Sequence, residues 1–237
     1  MDFITQYPNL TSPSKRLTSK HIDVLNKSGI SRNAAYEQGI RTSKSGNSYV
    51  IPVYDIKGNQ AGDTIRIDQE KVEAGSYPDK RNKTRKFQTI NHNDETIPTV
   101  HFPKLAKMEW SKIKDNPYQE MYITEGPKKA LKMCLEGFPC IGLLSCNGGL
   151  NKKDLADPLK EIKWKDRHVY IVFDNDKNTN ENVLNAEKEL SEKLKEYGAK
   201  VHIIDLPQDQ QAKGADDFLA KSRYHRDLFE SSRILAR

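Results

Sequence analysis

The second half of this 237-residue chain is predicted to fold as an α/β unit, a parallel sheet flanked by helices, preceded by a smaller α+β subdomain. Two short runs rich in β-branched and aromatic residues, 121–126 and 168–176, each end at acidic residues, as buried strands do when they stop at a site. Between them lie a lysine-rich helical segment, an apolar run at 140–144 and a glycine turn. Strand, helix, strand, loop and strand in this order are typical of a parallel sheet.

Composition excludes several classes of protein. The chain is 35% hydrophobic and 30% charged, and it has neither the ~20 consecutive apolar residues of a membrane span nor an N-terminal signal peptide. Cys134, Cys140 and Cys146 are too few and wrongly spaced for a disulfide framework or a Cys-x-x-Cys zinc site, which predicts buried reduced thiols and a cytoplasmic location. The net charge of +6 is unevenly distributed, so a polyanionic partner is plausible.

The first part of the chain is predicted to be a flexible arm followed by two short helices. Residues 1–17 contain prolines and show no hydrophobic periodicity. Thr18 or Ser19 is a suitable cap for the first helix, and Ser31 for the second. The subdomain that begins here is predicted to extend over residues 18–117.

Two strands, at 48–54 and 61–67, are predicted to follow, with a turn signal between them. Pro52 cannot donate to a strand ladder, which predicts an edge position for the first strand. Residues 68–85 are interpreted as a mobile loop.

A cluster of positive charge ends this loop, and an aromatic residue, Phe87, follows it directly. A solvated loop is the simpler interpretation. The alternative is a groove for single-stranded nucleic acid, in which cations neutralise phosphates and an aromatic face stacks on a base. This basic cluster consists of Lys80, Arg81, Lys83, Arg85 and Lys86.

Three carboxylates are predicted to meet at one edge of the parallel sheet. Glu125 ends one strand, and Asp174 and Asp176 follow another with the two-residue spacing that places side chains on one face. Ligands of such sheets bind beyond the carboxyl ends of the strands. Unpartnered carboxylates would repel one another, so the arrangement predicts a hard divalent cation such as Mg²⁺.

The remaining segments are assigned more coarsely. Residues 102–110 are predicted to form a short helix, and Pro127 suits the first turn of another that carries Lys128 and Lys129. His92 and His101 lack ligand partners at metal spacing. Adjacent glycines at 148–149 allow close backbone approach, either to phosphate or to the next helix. Further predictions are helices at 152–162, 183–197 and 216–221, a strand at 200–206 and a basic helical tail at 223–237.

The acidic motifs carry a family resemblance. Glu125-Gly126 before a helix, and Asp174-x-Asp176 after an apolar strand, resemble the Toprim domain of bacterial-type primases, topoisomerases and some nucleases. The segment from Lys213 to Asp217, Lys-Gly-Ala-Asp-Asp, resembles the segment that ends the primase version. The resemblance covers residues 118–222. It implies that Mg²⁺ or Mn²⁺ is held by Glu125, Asp174 and Asp176, with Asp216 as an outer metal or lysine partner.

The N-terminal half resembles the entry to a primase catalytic core. The helix, Ser-Gly-Ile-Ser, helix pattern at 19–38, the segment from Ile51 to Arg66 and the Lys86-Phe87-Gln-Thr run are similar to primase segments. The resemblance implies template-directed primer synthesis on single-stranded DNA from nucleoside triphosphates, with Glu125 as metal ligand or general acid/base. Nucleic acid or nucleotide is then expected at Arg66, Lys128, Lys213 and the basic cluster.

The chain departs from replicative primases at Lys129, where those enzymes usually have aspartate. Gly126 to Ala130 is instead similar to Toprim-like proteins of phages, plasmids and cyanobacteria, which suggests a mobile genetic element, and a charge-neutralising role for Lys129 is expected. No P-loop or zinc module occurs, so a helicase is expected as partner, in the same chain or another. A Toprim nuclease and a non-catalytic single-strand-binding module remain as alternatives.

Overall fold

Two sheets form the framework of the protein. The computed structural model describes residues 9, 16–78, 86–91, 98–174, 180–206, 214–221 and 223–234. The smaller sheet is antiparallel, in the order β1-β2-β3-β4. Its strands are β1 (Arg41–Thr42), β2 (Ser48–Tyr54), β3 (Gln60–Ile67) and β4 (Phe87–Asn91).

Pro52 does not make β2 an edge strand, since β2 lies between β1 and β3. β1 pairs only with Tyr49 and Val50, so Pro52 lies beyond its end and its missing N–H is tolerated. The predicted loop after β3 is also partly wrong, because α3 (Gln69–Glu73) follows directly. Residues 79–85, which hold most of the basic cluster, lie outside the described part of the chain.

Two N-terminal helices form as predicted. α1 (Ser19–Lys27) follows Thr18, and α2 (Arg32–Glu37) is capped by Ser31. Buried polar contacts attach α1: His21 Nδ1 is 2.8 Å from Thr42 Oγ1, and its Nε2 is 2.8 Å from Asp68 Oδ1. Of the predicted arm, Leu17 is part of the core, and most of the preceding residues are not described.

The larger sheet has the order β11-β10-β6-β7-β5 and confirms the predicted fold class. All its strands are parallel except β5, which comes from the connecting segment and pairs antiparallel with β7. The central strand β6 is buried along nearly its whole length. The strands are β5 (Val100–His101), β6 (Met121–Glu125), β7 (Cys140–Leu143), β10 (His168–Val172) and β11 (Lys200–Ile203).

The helices around this sheet agree with the predictions in four of six cases. Two predictions are wrong: 102–110 is not helical until Trp110, and 152–162 is a hairpin, β8 (Leu150–Asn151) and β9 (Asp154–Leu155), before a single helical turn. The helices are α4 (Trp110–Ile113), α5 (Pro127–Leu135), α6 (Asp157–Lys160), α7 (Glu181–Glu196), α8 (Ala215–Ala220) and α9 (Arg223–Ile234).

A fully buried arginine holds the chain segments that precede β6 and β10. Arg167 Nε donates to the Lys163 carbonyl at 2.8 Å, and Nη1 donates to the Gln119 carbonyl at 2.9 Å. Its Nη2 donates to the carbonyls of Ile113 and Lys114 at 2.9 and 3.0 Å, at the C-terminal end of α4. Burial lowers the pKa of Arg167 to about 10, which leaves it charged at neutral pH.

The C-terminal helix α9 closes the opposite end of the sheet from the candidate site. Phe229 is buried against Phe138 and Tyr122, with ring centroids 5.1 and 6.2 Å apart. Arg226 pairs with Glu136 at 2.8 Å, which joins α9 to the end of α5. Among the described residues, no helix has the length and apolar character needed to cross a bilayer.

Candidate functional site

Two of the three predicted carboxylates lie at the ends of adjacent parallel strands. Glu125 is the last residue of β6, and Asp174 comes two residues after β10. The strands are in register at Thr124 and Val172, where the Thr124 hydroxyl donates to the Val172 carbonyl at 2.7 Å. Glu125 and Asp174 therefore emerge at the same edge of the sheet. Asp176 lies outside the described residues.

A sharp turn carries the chain from β6 into α5. Gly126 has φ +95°, a conformation that residues with a side chain rarely adopt, and its N–H donates to the Leu143 carbonyl of β7. Pro127 then starts α5, as predicted. This turn places Lys128 and Lys129, in the first turn of α5, beside the carboxylate edge.

Lys129 forms an ion pair with Asp174. Its Nζ lies 2.7 Å from both carboxylate oxygens, and the two side chains are 19% and 22% exposed. Gly214 lies against the pair: a Cβ at this position would be 2.7 Å from Asp174 Oδ1 and 2.7 Å from Lys129 Cε. The structure thus places Lys129 on a predicted metal ligand.

Lys128 points to the other side of the helix and joins the two halves of the protein. Its Nζ is 2.8 Å from Asp216 Oδ2 in α8 and donates to Ser28 Oγ, at the end of α1, at 2.7 Å. The Ser28 hydroxyl donates in turn to Asp217 Oδ1 at 3.4 Å. Asp216 is almost fully buried. Asp216 was predicted as an outer metal or lysine partner, and in the structure it is the partner of Lys128.

The electrostatics of this cluster follow from the two lysines. Burial raises the pKa of Asp216, but the Lys128 and Lys129 ammonium groups outweigh it and hold the pKa below its usual value. Burial lowers the pKa of Lys128, but Asp216 outweighs it and the pKa is raised. Asp217 behaves differently, since burial and the Asp216 charge raise its pKa. Lys128 and Asp216 are therefore both charged at neutral pH.

A second basic group lies next to this cluster. The Arg66 guanidinium is 4.4 Å from the centre of the Phe87 ring, whose side chain is half-exposed. Burial raises the pKa of the Tyr49 hydroxyl, and the charges of Lys128 and Arg66 partly oppose this, so both cations act on Tyr49. Lys86 is exposed beside Phe87. Lys213 is not among the described residues.

The glycine turn after β7 is explained by packing. The Gly148 N–H donates to the Ser145 carbonyl at 2.8 Å, and a Cβ at Gly149 would come within 2.9 Å of Leu190 in α7. The glycines were predicted to approach either a phosphate or a helix, and the structure has the close approach to a helix. Cys146 in the same turn is half-buried, and burial, with a contribution from Glu125, raises its pKa.

Cys134, Cys140 and His101 are buried. Cys134 and Cys140 are buried and free, as predicted, and burial raises the pKa of Cys134 to about 12. His101 is buried, accepts the Tyr54 N–H at Nδ1, and is neutral because burial lowers its pKa to about 3. His92 lies outside the described residues.

Glu125 and Asp174 are the described carboxylates that would hold a divalent ion at this edge. Mg²⁺ in such sites takes one or two carboxylates together with substrate phosphates, and Glu125 and Asp174 supply carboxylates at one sheet edge. Within the described ranges, no group of three or more His, Cys, Asp or Glu side chains is arranged to hold a metal ion.

Three participants in this site were not predicted from the sequence. They are Ser28, which contacts Lys128, Asp217, which contacts Ser28, and Gly214, which lies against Lys129 and Asp174. Gly214 has a signal in the sequence, since it precedes two acidic residues at a helix start. Ser28 has none, because its contact with Lys128 joins residues 100 positions apart.

Comparison with protein families gives a match without a known activity. The family model of a domain of unknown function, DUF3854, matches residues 109–225. An uncharacterized protein of Picosynechococcus sp. is 29% identical over 136 residues, which cover 52% of this chain and 13% of that protein. The residues that the family model matches, 109–225, include Glu125, Lys128, Lys129, Asp174 and Asp216.

Comparison with solved structures identifies the fold. The Aquifex aeolicus primase, with its zinc-binding and RNA polymerase domains, gives a TM-score of 0.62 at 14% identity over 93% of this chain and 56% of its own. A DnaG primase catalytic domain bound to single-stranded DNA gives 0.59 at 13% identity, covering 92% and 74%. The RNA polymerase domain of Mycobacterium tuberculosis DnaG gives 0.57 at 12%, covering 92% and 74%. The chain has the fold of bacterial DNA primase catalytic cores.

Proposed function

We propose that this chain is a primase-type catalytic core of the Toprim kind, which synthesises primers on single-stranded DNA from nucleoside triphosphates with Mg²⁺ or Mn²⁺. One observation carries the proposal: the primase-core fold extends over at least 92% of the chain, so it includes the smaller sheet as well as the carboxylate edge.

The carboxylate edge would hold the metal. Glu125, Asp174 and Asp176 are the proposed ligands, and a divalent ion held there would stabilise the charge that develops on the pyrophosphate leaving group. Glu125, at the end of the rigid central strand, could also move a proton to or from the reacting hydroxyl. The turn at Gly126 fixes this carboxylate relative to α5.

The smaller sheet would bind the template. Arg66 and Lys86 lie beside the half-exposed Phe87, and the other residues of the basic cluster precede Lys86 in the sequence. Cations in such a groove neutralise phosphates, and an aromatic ring stacks on bases without sequence preference. We include Lys213 in this proposal, because it directly precedes Gly214, which lies against Lys129 and Asp174.

Primer synthesis tests the proposal directly. Purified protein is incubated with single-stranded DNA, Mn²⁺ or Mg²⁺ and labelled nucleoside triphosphates, and products are resolved by length. Template-dependent primers from the wild type, and none from Asp174→Asn, are the expected result. Asp157→Asn, which changes an exposed carboxylate in α6, serves as the control and should remain active.

A non-catalytic module that binds single-stranded DNA is the second candidate, and the Lys129–Asp174 ion pair favours it, because a lysine already neutralises one metal ligand. That candidate predicts DNA binding with no nucleotide incorporation in the same assay. Cleavage of the template instead of primer formation would support a Toprim nuclease. A helicase, in the same chain or another, is also part of the proposal and is tested by its stimulation of primer synthesis.

A further inference from the structure

The Lys129 ammonium group occupies the position from which a metal ion would bind Asp174. Its Nζ is 2.7 Å from each carboxylate oxygen, so it lies in front of the carboxylate and contacts both atoms. A Mg²⁺ ion needs the same oxygens at about 2.0–2.1 Å. Lysine and metal ion therefore compete for Asp174.

The surroundings hold Lys129 in this position. The Cα of Gly214 borders the pair closely enough that a Cβ would come 2.7 Å from Asp174 Oδ1, so the chain leaves no room there for a side chain. The neighbouring Lys128 is fixed by Asp216 and Ser28, which orients the first turn of α5. The charge of Lys129, like that of Lys128, lowers the pKa of Asp216.

We infer that Lys129 is a displaceable cation. It forms an ion pair with Asp174 in the absence of substrate, and it would form an ion pair with the nucleotide phosphates when a metal–nucleotide complex binds. This inference rests on the proposed function, since it names the substrate class for which the exchange occurs. Lysine suits the role because its ammonium is a compact charge on a flexible stem and can change partners without moving the helix. A phosphate group would replace Asp174 as the partner of Lys129, so a divalent ion would bind Asp174 more tightly when nucleotide is present.

Two binding measurements with opposite expected signs test this exchange. In Lys129→Met, Mn²⁺ affinity without nucleotide should rise about fivefold, the upper end of what measured exposed ion pairs contribute. Nucleoside triphosphate affinity, measured without divalent ions, should fall about fivefold in the same variant, because a phosphate partner is lost. Free Mn²⁺ is followed by electron paramagnetic resonance, and nucleotide by calorimetry.

Control variants separate this role from a general charge effect. Lys160→Met removes another ion-paired lysine, 3.0 Å from Asp154 and from Asp157, and should leave both affinities unchanged. Lys129→Arg keeps the positive charge, so its Mn²⁺ affinity without nucleotide should stay as low as that of the wild type. Equal Mn²⁺ affinity in Lys129→Met and the wild type would overturn the inference, because no competition would then exist.

A second variant keeps the test valid should Lys129→Met fold poorly. Asp174→Asn frees Lys129 from its carboxylate partner, so affinity for triphosphate without metal should rise about fivefold. Unchanged affinity in this variant would also contradict the exchange. None of these readouts requires catalysis, so a protein that fails to make primers but shows both affinity changes refutes the proposed function and leaves the exchange standing.

Discussion

The buried ion pair between Lys128 and Asp216 is expected to stabilise the junction of the two halves of the protein. Asp216→Asn keeps the shape of the side chain and removes its charge, which leaves the Lys128 ammonium with Ser28 and an amide. Loss of one partner of a fully buried pair costs ~3–5 kcal/mol. Lys128 is 25% exposed, so water can partly replace the carboxylate, and a loss of about 2 kcal/mol is a better expectation for this pair.

Urea unfolding measures this loss, with the buried Trp110 and Trp164 as fluorescent reporters. The single variants Asp216→Asn and Lys128→Met and the double variant form a cycle. We expect the double variant to be more stable than the sum of the single effects predicts by at least 1 kcal/mol. Additivity within about 0.5 kcal/mol would refute the view that the two charges interact as a pair.

The pH dependence gives a second check on the same pair. The pKa of Asp216 is lower in the folded protein than its usual value, so its contribution is present above the pKa of the unfolded chain, ~3.9. The contribution is lost as the pH falls through the folded pKa. The difference in stability between wild type and Asp216→Asn should therefore be constant near neutrality and shrink below about pH 4.

Three further predictions concern the metal, the template and the buried arginine. Asp174→Asn should abolish nucleotide transfer while the circular dichroism spectrum stays that of the wild type; retained transfer would remove Asp174 from the metal site. Replacing the basic cluster by alanine should flatten the salt dependence of single-stranded DNA binding by about 0.7 in log–log slope per lost phosphate contact, measured by anisotropy, whereas an unchanged slope would mark a solvated loop. Arg167→Met leaves four carbonyl groups without their donor and should cost about 3 kcal/mol in urea unfolding, at roughly 1 kcal/mol per hydrogen bond with some relief from burying less charge; a loss below about 1 kcal/mol would mean that water replaces the guanidinium.

The elements that sequence alone predicted well are those with strong local signals. β2 has the predicted bounds and α5 starts at the predicted residue, because a β-branched run between turn residues defines the first and Gly-Pro the start of the second. The segment 152–162 shows where such signals mislead. Its apolar spacing suits a helix, but proline is tolerated only in the first turn, so a helix that starts at 152 cannot run through Pro158. The observed helical turn starts at Asp157, and Lys152 adopts φ +57° in a hairpin turn.

The candidate site was predictable only in part, for a related reason. Glu125 and Asp174 could be predicted, because β-branched runs that stop at acidic residues are visible in the sequence. The partners of the two lysines are not visible, because adjacent side chains on α5 point to different elements: Lys129 reaches Asp174 beyond β10, and Lys128 reaches Asp216 in α8. Such choices depend on how the elements pack.

The origin of β5 matters for anyone who wishes to study the carboxylate-bearing half alone. A fragment that starts at residue 118, the predicted boundary, would lack Val100–His101 and so leave one side of β7 unpaired. It would also lose Phe102 and Trp110, which pack edge to face with ring centroids 5.3 Å apart and are part of the core. An unpaired strand edge beside exposed apolar residues promotes aggregation. A soluble fragment of this half should therefore begin before Pro98, ahead of the strand that covers this edge.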